Sequence, residues 1–283
     1  MSDQRVAVVI PCYNDGETLA EAVESLAEQE PSELVVVDDG STDASTVQTL
    51  DEIRRRGVTV VRQQNAGLAA ARMRGVAETS ARYVMPVDAD DALVPGALAR
   101  LADALDANPD AVVSWGDLEL FGDVIGRVEL PLGIDPWKIT YVCDMPAQSL
   151  LRRSALLAVG GWQLEDGNED WDLWMTFAER AWRGVYVPGP AYRYRIRSGR
   201  MNELVIALHG HHFARLRKRH PSLFAARAEN WRNSHASIRA RLLFPIVSRA
   251  PVSEWNRRRM LHLVDHPRRV YELGRQRRRR ISR

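Results

Sequence analysis

Residues 83–91 have the sequence Tyr-Val-Met-Pro-Val-Asp-Ala-Asp-Asp, an apolar run that ends in three carboxylates. A short apolar run of this kind is typical of a strand that is buried on both faces of a parallel sheet. The three acids would then lie at the carboxyl end of the strand. In open α/β sheets ligands bind beyond this edge. The stretch therefore predicts both a buried strand and a functional edge.

Three similar apolar runs precede it, at residues 6–10, 34–37 and 58–61, and each is followed by a turn and by apolar residues at helical spacing. Strands that alternate with helices predict βαβ units and a parallel sheet. The fold class is therefore α/β, a Rossmann-like, mostly parallel sheet flanked by helices. Further predicted elements are strands at 111–115, 124–130, 185–187 and 192–196, and helices at 154–159 and 170–182.

The composition is that of an ordinary globular protein, with 283 residues, of which 45% are hydrophobic and 27% charged. A chain of this length buries a core large enough to be stable without disulfides or a structural metal. No apolar stretch approaches the ~18 residues of a membrane span. The two cysteines, Cys12 and Cys143, lack the number and spacing of a disulfide framework or a zinc site. We therefore expect a cytoplasmic protein rather than a secreted scaffold, an integral membrane protein or a zinc finger.

The net charge of +2 conceals a division within the chain. Residues 1–192 contain 15 Lys and Arg against 32 Asp and Glu, whereas residues 193–283 contain 24 against 5. From about residue 200 the sequence is helical in pattern and rich in arginine. We accordingly divide the chain into a domain at 1–198 and a basic helical region at 199–283.

Asp88, Asp90 and Asp91 are the first candidates for chemistry. Three carboxylates within four residues repel one another, and a bound cation relieves this repulsion. Oxygen ligands favour Mg²⁺ or Mn²⁺, which are commonly shared with substrate phosphates. The alternative is a solvated turn that caps the next helix.

Asp38 and Asp39 form a second acidic turn, directly after the strand at 34–37. A carboxylate in this place can accept hydrogen bonds from a base or a ribose. The alternative is a turn in which Ser41 or Asp43 caps the following helix. Gly-rich phosphate loops of the G-x-G-x-x-G and G-x-x-x-x-G-K types do not occur in the sequence, which disfavours dinucleotide oxidoreductases and P-loop NTPases.

Arg72 and the pair Glu169–Asp170 complete the candidates. A guanidinium matches the oxygens of a diphosphate, so Arg72 is a candidate phosphate ligand, although a surface arginine is the alternative. Asp170 lies one helical turn before Trp174, on the face turned toward the protein. An inward carboxylate at a helix N-terminus suits a base that accepts a proton, and a simple first-turn acid is the alternative.

The order of these motifs resembles that of the family 2 glycosyltransferases, which have the nucleotide-diphospho-sugar transferase fold called GT-A. The resemblance covers about residues 4–198. Its motifs in chain order are Pro11-Cys-Tyr-Asn14, Val37-Asp-Asp-Gly-Ser-Thr-Asp43, Asn65-Ala-Gly67 with Ala71-Arg72, Val87-Asp-Ala-Asp-Asp91, Gly160-Gly-Trp162 and Glu169-Asp-Trp171.

The resemblance implies a metal-dependent, inverting transfer of a sugar from a nucleotide diphosphate sugar, expected to be a UDP-sugar, to a hydroxyl acceptor. It implies that Asp170 is the catalytic base, with Glu169 beside it, and that Asp90 and Asp88 hold Mn²⁺ or Mg²⁺, with Asp88 also near the ribose. The other donor-binding residues it implies are Pro11, Tyr13 and Asp39 at the nucleoside and Arg72 near the diphosphate.

The sequence departs from the family pattern in two places. It lacks the Gln-x-x-Arg-Trp motif and the membrane spans of processive synthases, which favours transfer of one sugar per encounter. The expected acceptor is a cell-envelope glycan or a lipid-linked saccharide. Many members have a histidine after the last strand of the sheet, where this chain has Arg195-Ile-Arg197. These arginines either hold phosphate or begin the basic region.

The arginine-rich C-terminus, including residues 268–269 and 277–280, has three interpretations. It packs as an appendage on the acidic domain, or it contacts an anionic membrane at the inner face, or it binds nucleic acid, which we rank last because no binding module accompanies it. The alternative to an enzyme is a non-catalytic module of the same fold, tethered by this tail to membrane or nucleic acid. A nucleotidyltransferase is disfavoured because a Gly-rich, Lys-bearing phosphate loop is lacking.

Overall fold

The computed structural model describes residues 4–164, 167–197, 209–250, 252 and 254–265. Of these, the residues up to Ile134 and from Met145 to 197 form one compact unit. Asp135–Asp144 forms a second unit with the described residues from 209 onward. The segment 135–144, which lies inside the first domain as the sequence delimits it, therefore packs with the C-terminal helices.

The first half of the sheet has the predicted alternation. Strands β1 to β4 are Val6–Cys12, Glu33–Asp38, Thr59–Arg62 and Tyr83–Pro86. Helices α1 to α3 are Gly16–Glu24, Ala44–Arg55 and Leu68–Ala77. The strands lie in the order β3-β2-β1-β4 and all neighbours are parallel. Every residue of β1 is buried. A Cβ on Gly75 would lie 2.2 Å from Val9 Cγ1, so glycine is what lets α3 lie against β1.

The second half of the sheet is mixed. Strands β5 to β9 are Ala92–Leu93, Ala111–Gly122, Gly126–Val128, Leu150–Arg152 and Arg183–Ile196. The sheet continues β4-β8-β6-β9-β5, with β7 beside β6. β8 is antiparallel to both of its neighbours, whereas β6 and β9 are parallel. The two strands predicted at 185–187 and 192–196 are one strand, β9. β5 and β8 were not predicted, because two or three residues carry no readable period.

Helices α4, α5 and α6, at Ala97–Ala107, Arg153–Ala158 and Glu169–Glu179, flank the sheet. The α/β fold predicted from the sequence is confirmed. α6 begins where Asn168 takes a left-handed conformation, with φ of 60°. Trp174 on this helix packs edge-on against Trp115 of β6, with ring centroids 5.5 Å apart. This contact holds the middle of α6 against the sheet.

The second unit contains five further described helices. They are α7 His209–Arg219, α8 Pro221–Ala225, α9 Arg227–Asn233, α10 Ile238–Val247 and α11 Glu254–Asp265. Trp137 stacks on Phe244 of α10 with ring centroids 5.8 Å apart. Asp135 accepts hydrogen bonds from Ser234 Oγ at 2.6 Å and from the amide of His235 at 3.0 Å. The segment 135–144 is thus part of the core of this unit.

The predicted basic helical region is present. Its arginines at 268–269 and 277–280 lie outside the described residues. None of the described helices combines the length and the apolar character needed to cross a bilayer.

Candidate active site

The acidic motifs collect at the carboxyl ends of β1, β2 and β4, as the parallel sheet requires. Pro11 is buried and pairs in register with Val37 of β2. Tyr13 follows the end of β1 and is 47% exposed, so a large aromatic face is available at this edge. The amide of Asp39 donates to the carbonyl of Cys12 at 2.9 Å, which joins the two loops.

Asp39 is buried and organises the turn before α3. Its Oδ1 accepts hydrogen bonds from Gln63 Nε2 at 2.7 Å and from the amide of Ala66 at 2.9 Å. Its Oδ2 accepts from the amide of Gly67 at 2.9 Å. A carboxylate has about four acceptor positions, so about one remains for a ligand. The structure thus gives Asp39 a structural task beside the predicted contact with a base.

Asp43 caps α2, which is the alternative that the sequence left open for this turn. Its side chain accepts from the amide of Thr46 at 2.8 Å. The hydrogen bonds from Ser45 and Thr46 lower the pKa of this carboxyl. Ser41 does not cap the helix but accepts from the amide of Asn14 at 3.1 Å, which connects the turn to the loop after β1.

The three acids after β4 have three different environments. Asp91 is buried, with Oδ1 accepting from the amide of Arg195 at 2.7 Å and Oδ2 from the side chain of Gln148. Asp88 and Asp90 are half-buried. Burial raises the pKa of Asp90, and the charges of Asp88 and Asp15 raise it further, whereas Arg197 lowers it. Asp91 therefore holds the loop, whereas Asp88 and Asp90 are the two of the three acids that are partly exposed to a ligand.

Arg72 is 1% exposed, so the alternative of a surface arginine is wrong. Its Nη2 donates to Asp88 Oδ1 and its Nη1 to Glu169 Oε1, each at 2.7 Å. Its guanidinium also lies over the ring of Trp162 at 5.6 Å. Burial alone would lower the pKa of Arg72, but the charges of Asp88 and Glu169 outweigh it and raise the pKa. One buried cation thus joins the loop after β4 to the start of α6.

Glu169 and Asp170 are neighbours with different exposure. Glu169 is buried, and this burial raises the pKa of its carboxyl to about 7 against the opposing charge of Arg72. Asp170 is half-buried, and its Oδ1 accepts from the amide of Trp171 at 2.7 Å. The pKa of Asp170 is also raised, mainly by burial. The charge of Arg72 opposes this shift, and the charge of Asp88 adds to it. Asp170 is thus the more accessible of the two acids and lies within electrostatic range of Asp88.

Arg195 and Arg197, the arginines at the position of the family's histidine, reach the same edge. Arg195 Nε donates to the carbonyl of Asp90 at 2.7 Å, and its guanidinium forms an ion pair with Glu21. Arg197 Nη1 lies 3.6 Å from Glu17 Oε2. Arg195 therefore supports the acidic loop, a role that its position alone did not reveal.

Asp88 and Asp90 are the residues that could hold a divalent cation. In the part of the chain that the structure describes, no group of three or more His, Cys, Asp or Glu side chains is placed to enclose a metal ion. Two neighbouring carboxylates repel each other, and a bound cation would relieve this repulsion. The pair fits an ion such as Mg²⁺ or Mn²⁺, which takes its other ligands from phosphates and water. The donor set thus fits a cation shared with a substrate.

Sequence reasoning missed Gln148 and the role of Asp91. Gln148 is buried, and its side chain donates to Asp91 across a long separation in sequence. The signal for Asp91 was present, because it directly follows the candidate metal ligands. No local pattern marked Gln148.

With this geometry established, comparison with known proteins identifies the family. The family model described as Glycosyl transferase family 2 matches residues 7–157, more than half of the chain. The chain belongs to glycosyl transferase family 2. The matched region includes β1 to β8 and the acidic loops, and it ends before Glu169 and Asp170.

Family members with curated descriptions resemble this chain over about a third of its length. Succinoglycan biosynthesis protein ExoU of Rhizobium meliloti (strain 1021) is 41% identical over 99 residues, which cover 34% of this chain and 29% of that protein. Hyaluronan synthase of Streptococcus pyogenes is 36% identical over 109 residues, covering 35% and 26% of the two chains. The matched regions thus span less than a third of these relatives.

Solved structures agree on the fold over nearly the whole chain. S. aureus TarS 1–349 in complex with UDP-GlcNAc superposes with a TM-score of 0.61 at 18% identity and covers 93% of this chain and 82% of that one. TarS 1–349 in complex with UDP gives 0.57 at 18% identity, covering 92% of this chain and 72% of that one. The GT-A fold implied by the sequence resemblance is confirmed.

Proposed function

We propose that this family 2 enzyme is an inverting, metal-dependent, non-processive glycosyltransferase that uses a UDP-sugar. The observation that carries the proposal is the shared guanidinium of Arg72. It joins Asp88 to Glu169 and so brings the proposed metal ligands and the proposed base to one edge of the sheet. A transferase needs its metal ligands and its base around one substrate. A module that only binds the sugar nucleotide would not need the base.

The donor is proposed from the site and from the structural neighbours. TarS has been solved with UDP-GlcNAc and with UDP, and this chain shares its fold. Tyr13 and the remaining acceptor capacity of Asp39 would contact the nucleoside at the ends of β1 and β2. Asp88 and Asp90 would hold Mn²⁺ or Mg²⁺, which supplies positive charge against the diphosphate when it is bound.

Asp170 is proposed as the catalytic base. It takes the proton of an acceptor hydroxyl while the hydroxyl oxygen bonds to the anomeric carbon of the donor. The bond from that carbon to the diphosphate oxygen breaks with its electron pair, so the nucleoside diphosphate leaves and the configuration inverts. A raised pKa suits this task because the base must hold the proton once it has accepted it.

Glu169 and Arg72 are proposed as positioning residues. Glu169 is buried and accepts a hydrogen bond from Arg72, so it fixes the first turn of α6, to which Asp170 also belongs. Arg72 has both terminal nitrogens engaged by carboxylates. Its predicted place near the diphosphate stays a prediction, and its present contacts hold Asp88 in place.

The acceptor is proposed to be a cell-envelope glycan or a lipid-linked saccharide. The relatives include a succinoglycan biosynthesis protein and a hyaluronan synthase, both named for polysaccharides. A site at the cytoplasm, where nucleotide sugars are made, would suit such an acceptor. Transfer of one sugar per encounter accords with the absence of Gln-x-x-Arg-Trp from the sequence.

The proposal is tested in two stages with purified protein. A thermal-shift panel of nucleotide sugars with Mn²⁺ finds the donor, because a ligand that binds the folded state raises its melting temperature. Slow hydrolysis of that α-linked donor is then followed by NMR. Initial release of the β-sugar supports inversion, and initial release of the α-sugar refutes it. A panel in which no UDP-sugar stabilises the protein would contradict the donor assignment.

A further inference from the structure

Helix α10 has an exposed apolar face within the second unit. Ile238, Leu242 and Ile246 are 75%, 58% and 65% exposed. They are spaced four residues apart and so form one stripe, about 12 Å long at the helical rise of ~1.5 Å per residue. The opposite face carries Ala240, Phe244 and Val247, which are buried in the core of this unit. α10 is therefore apolar on both sides, and among the residues that the structure describes only the side with Phe244 is packed into a core.

Arginines border the stripe along its length. Arg239 and Arg241 lie on either side of it by helical position, at about +100° and −60° from Ile238. Arg239 is exposed, and Arg249 is exposed just beyond the end of the helix. A cationic rim around an exposed apolar stripe is typical of helices that lie in a membrane interface.

Trp231 extends this surface from the preceding helix. It is 38% exposed, and Arg241 stacks on its ring at 4.5 Å from the centroid. Its indole Nε1 donates to the carbonyl of Arg241 at 3.2 Å. An indole that is partly exposed beside an arginine suits the boundary between lipid headgroups and acyl chains, where tryptophan is enriched.

We propose that this face, formed by the three aliphatic residues of the stripe with Trp231 and the bordering arginines, docks on an anionic lipid bilayer. The charge of the second unit favours an anionic bilayer over a second copy of the chain as the partner of this face. The described part of the second unit, residues 135–144, 209–250, 252 and 254–265, contains 13 Lys and Arg against five Asp and Glu. In a two-fold dimer these arginines would face their own copies, whereas an anionic surface attracts them. The inference goes beyond the proposed function and holds without it.

The test measures partition of the full chain onto phosphatidylcholine vesicles with and without ~30% phosphatidylglycerol. Leu242→Gln with Ile246→Gln changes no charge and is expected to lower the partition coefficient on anionic vesicles at least ~10-fold, because buried aliphatic contact with lipid is lost. Arg239→Gln is expected to lower it ~5-fold. The parent protein is expected to bind neutral vesicles much more weakly.

The matched control is Ile125→Gln with Leu132→Gln, two residues of the first unit that are 77% and 78% exposed. It is expected to bind like the parent. Circular dichroism checks that each variant is folded. Unchanged binding of the α10 double variant would overturn the proposal and leave the arginine-rich tail as the membrane contact. A dimer in light scattering that dissociates in the α10 variant would overturn it in favour of a second copy of the chain.

Discussion

Asp88 and Glu169 bind opposite terminal nitrogens of one buried guanidinium, that of Arg72, each at 2.7 Å. The first follows β4 and the second begins α6, so the pairing joins two parts of the site that are far apart in sequence. Asp170 adds a third carboxylate nearby. Burial is the main cause of the raised pKa values of Glu169 and Asp170, and the charges of the neighbouring acids raise them further against the opposing charge of Arg72.

Arg72→Met is expected to lower the free energy of unfolding by ~3–5 kcal/mol, because it leaves Glu169 buried without its counter-charge. Urea denaturation measures the change. Arg74→Met is the matched control on the same helix, since Arg74 is exposed and pairs with Glu78 only at the surface. Its expected cost is below ~1 kcal/mol. Equal costs for the two variants would show that the buried pairing does not stabilise the fold.

Asp170→Asn is expected to lower the rate of sugar transfer ~10²- to 10⁴-fold, because the amide cannot accept the acceptor's proton. The donor should still raise the melting temperature as it does in the parent. Glu179→Gln, at the exposed end of the same helix, serves as control and should keep its activity. Transfer by Asp170→Asn at the parent rate would make the base assignment wrong.

Asp90→Asn is expected to stabilise the ligand-free protein, by about 0.5 kcal/mol or more, while abolishing stabilisation by Mn²⁺ with UDP. Burial and the charges of Asp88 and Asp15 raise the pKa of Asp90, so removal of its charge relieves repulsion. Thermal denaturation with and without Mn²⁺ and UDP gives both values. Asp51→Asn, at an exposed position on α2, should change neither. Retention of the Mn²⁺ effect in Asp90→Asn would exclude Asp90 as a metal ligand.

The stability of the ligand-free protein should fall as pH rises from about 4.5 to 7 through the contribution of Glu169. Its pKa is about 7 when folded and ~4.3 when unfolded. In this window the folded protein holds a proton that the unfolded chain has released, so a rising pH favours unfolding. Glu169→Gln should remove this contribution, which exceeds ~1 kcal/mol. Urea denaturation of both proteins at pH 5 and pH 8 tests it, and identical pH slopes would contradict it.

Trp137→Ala is expected to destabilise the second unit by ~3–5 kcal/mol, since Trp137 is 1% exposed in its aromatic core. Trp231→Ala, at a partly exposed position of the same unit, should cost about 1 kcal/mol or less. Limited proteolysis of the C-terminal helices and thermal denaturation report the difference. Unchanged protection in Trp137→Ala would mean that segment 135–144 is not part of this core.

Local pattern predicted the parts of the fold whose elements are long enough to show a period. The strands at 6–10, 34–37, 58–61 and 83–87 are β1 to β4 in their predicted places. Their acidic ends therefore had to meet at one edge, because parallel strands present their carboxyl ends together. β5 and β8 were not predicted, because strands of two or three residues are stabilised by their neighbours in the sheet and have no sequence period of their own.

The sequence by itself determined the α/β fold and the residue types at the edge of the sheet, since both follow from periodicity and from the order of short motifs. Only the tertiary structure decided what those residues contact. In the structure Arg72 lies between Asp88 and Glu169, and Gln148 donates a hydrogen bond to Asp91. Segment 135–144 belongs to the C-terminal unit. Each of these contacts joins residues distant along the chain. Such contacts form because a buried polar or charged group is stable only when it is paired. Which partner is close enough depends on the tertiary packing, and the local sequence pattern does not indicate it.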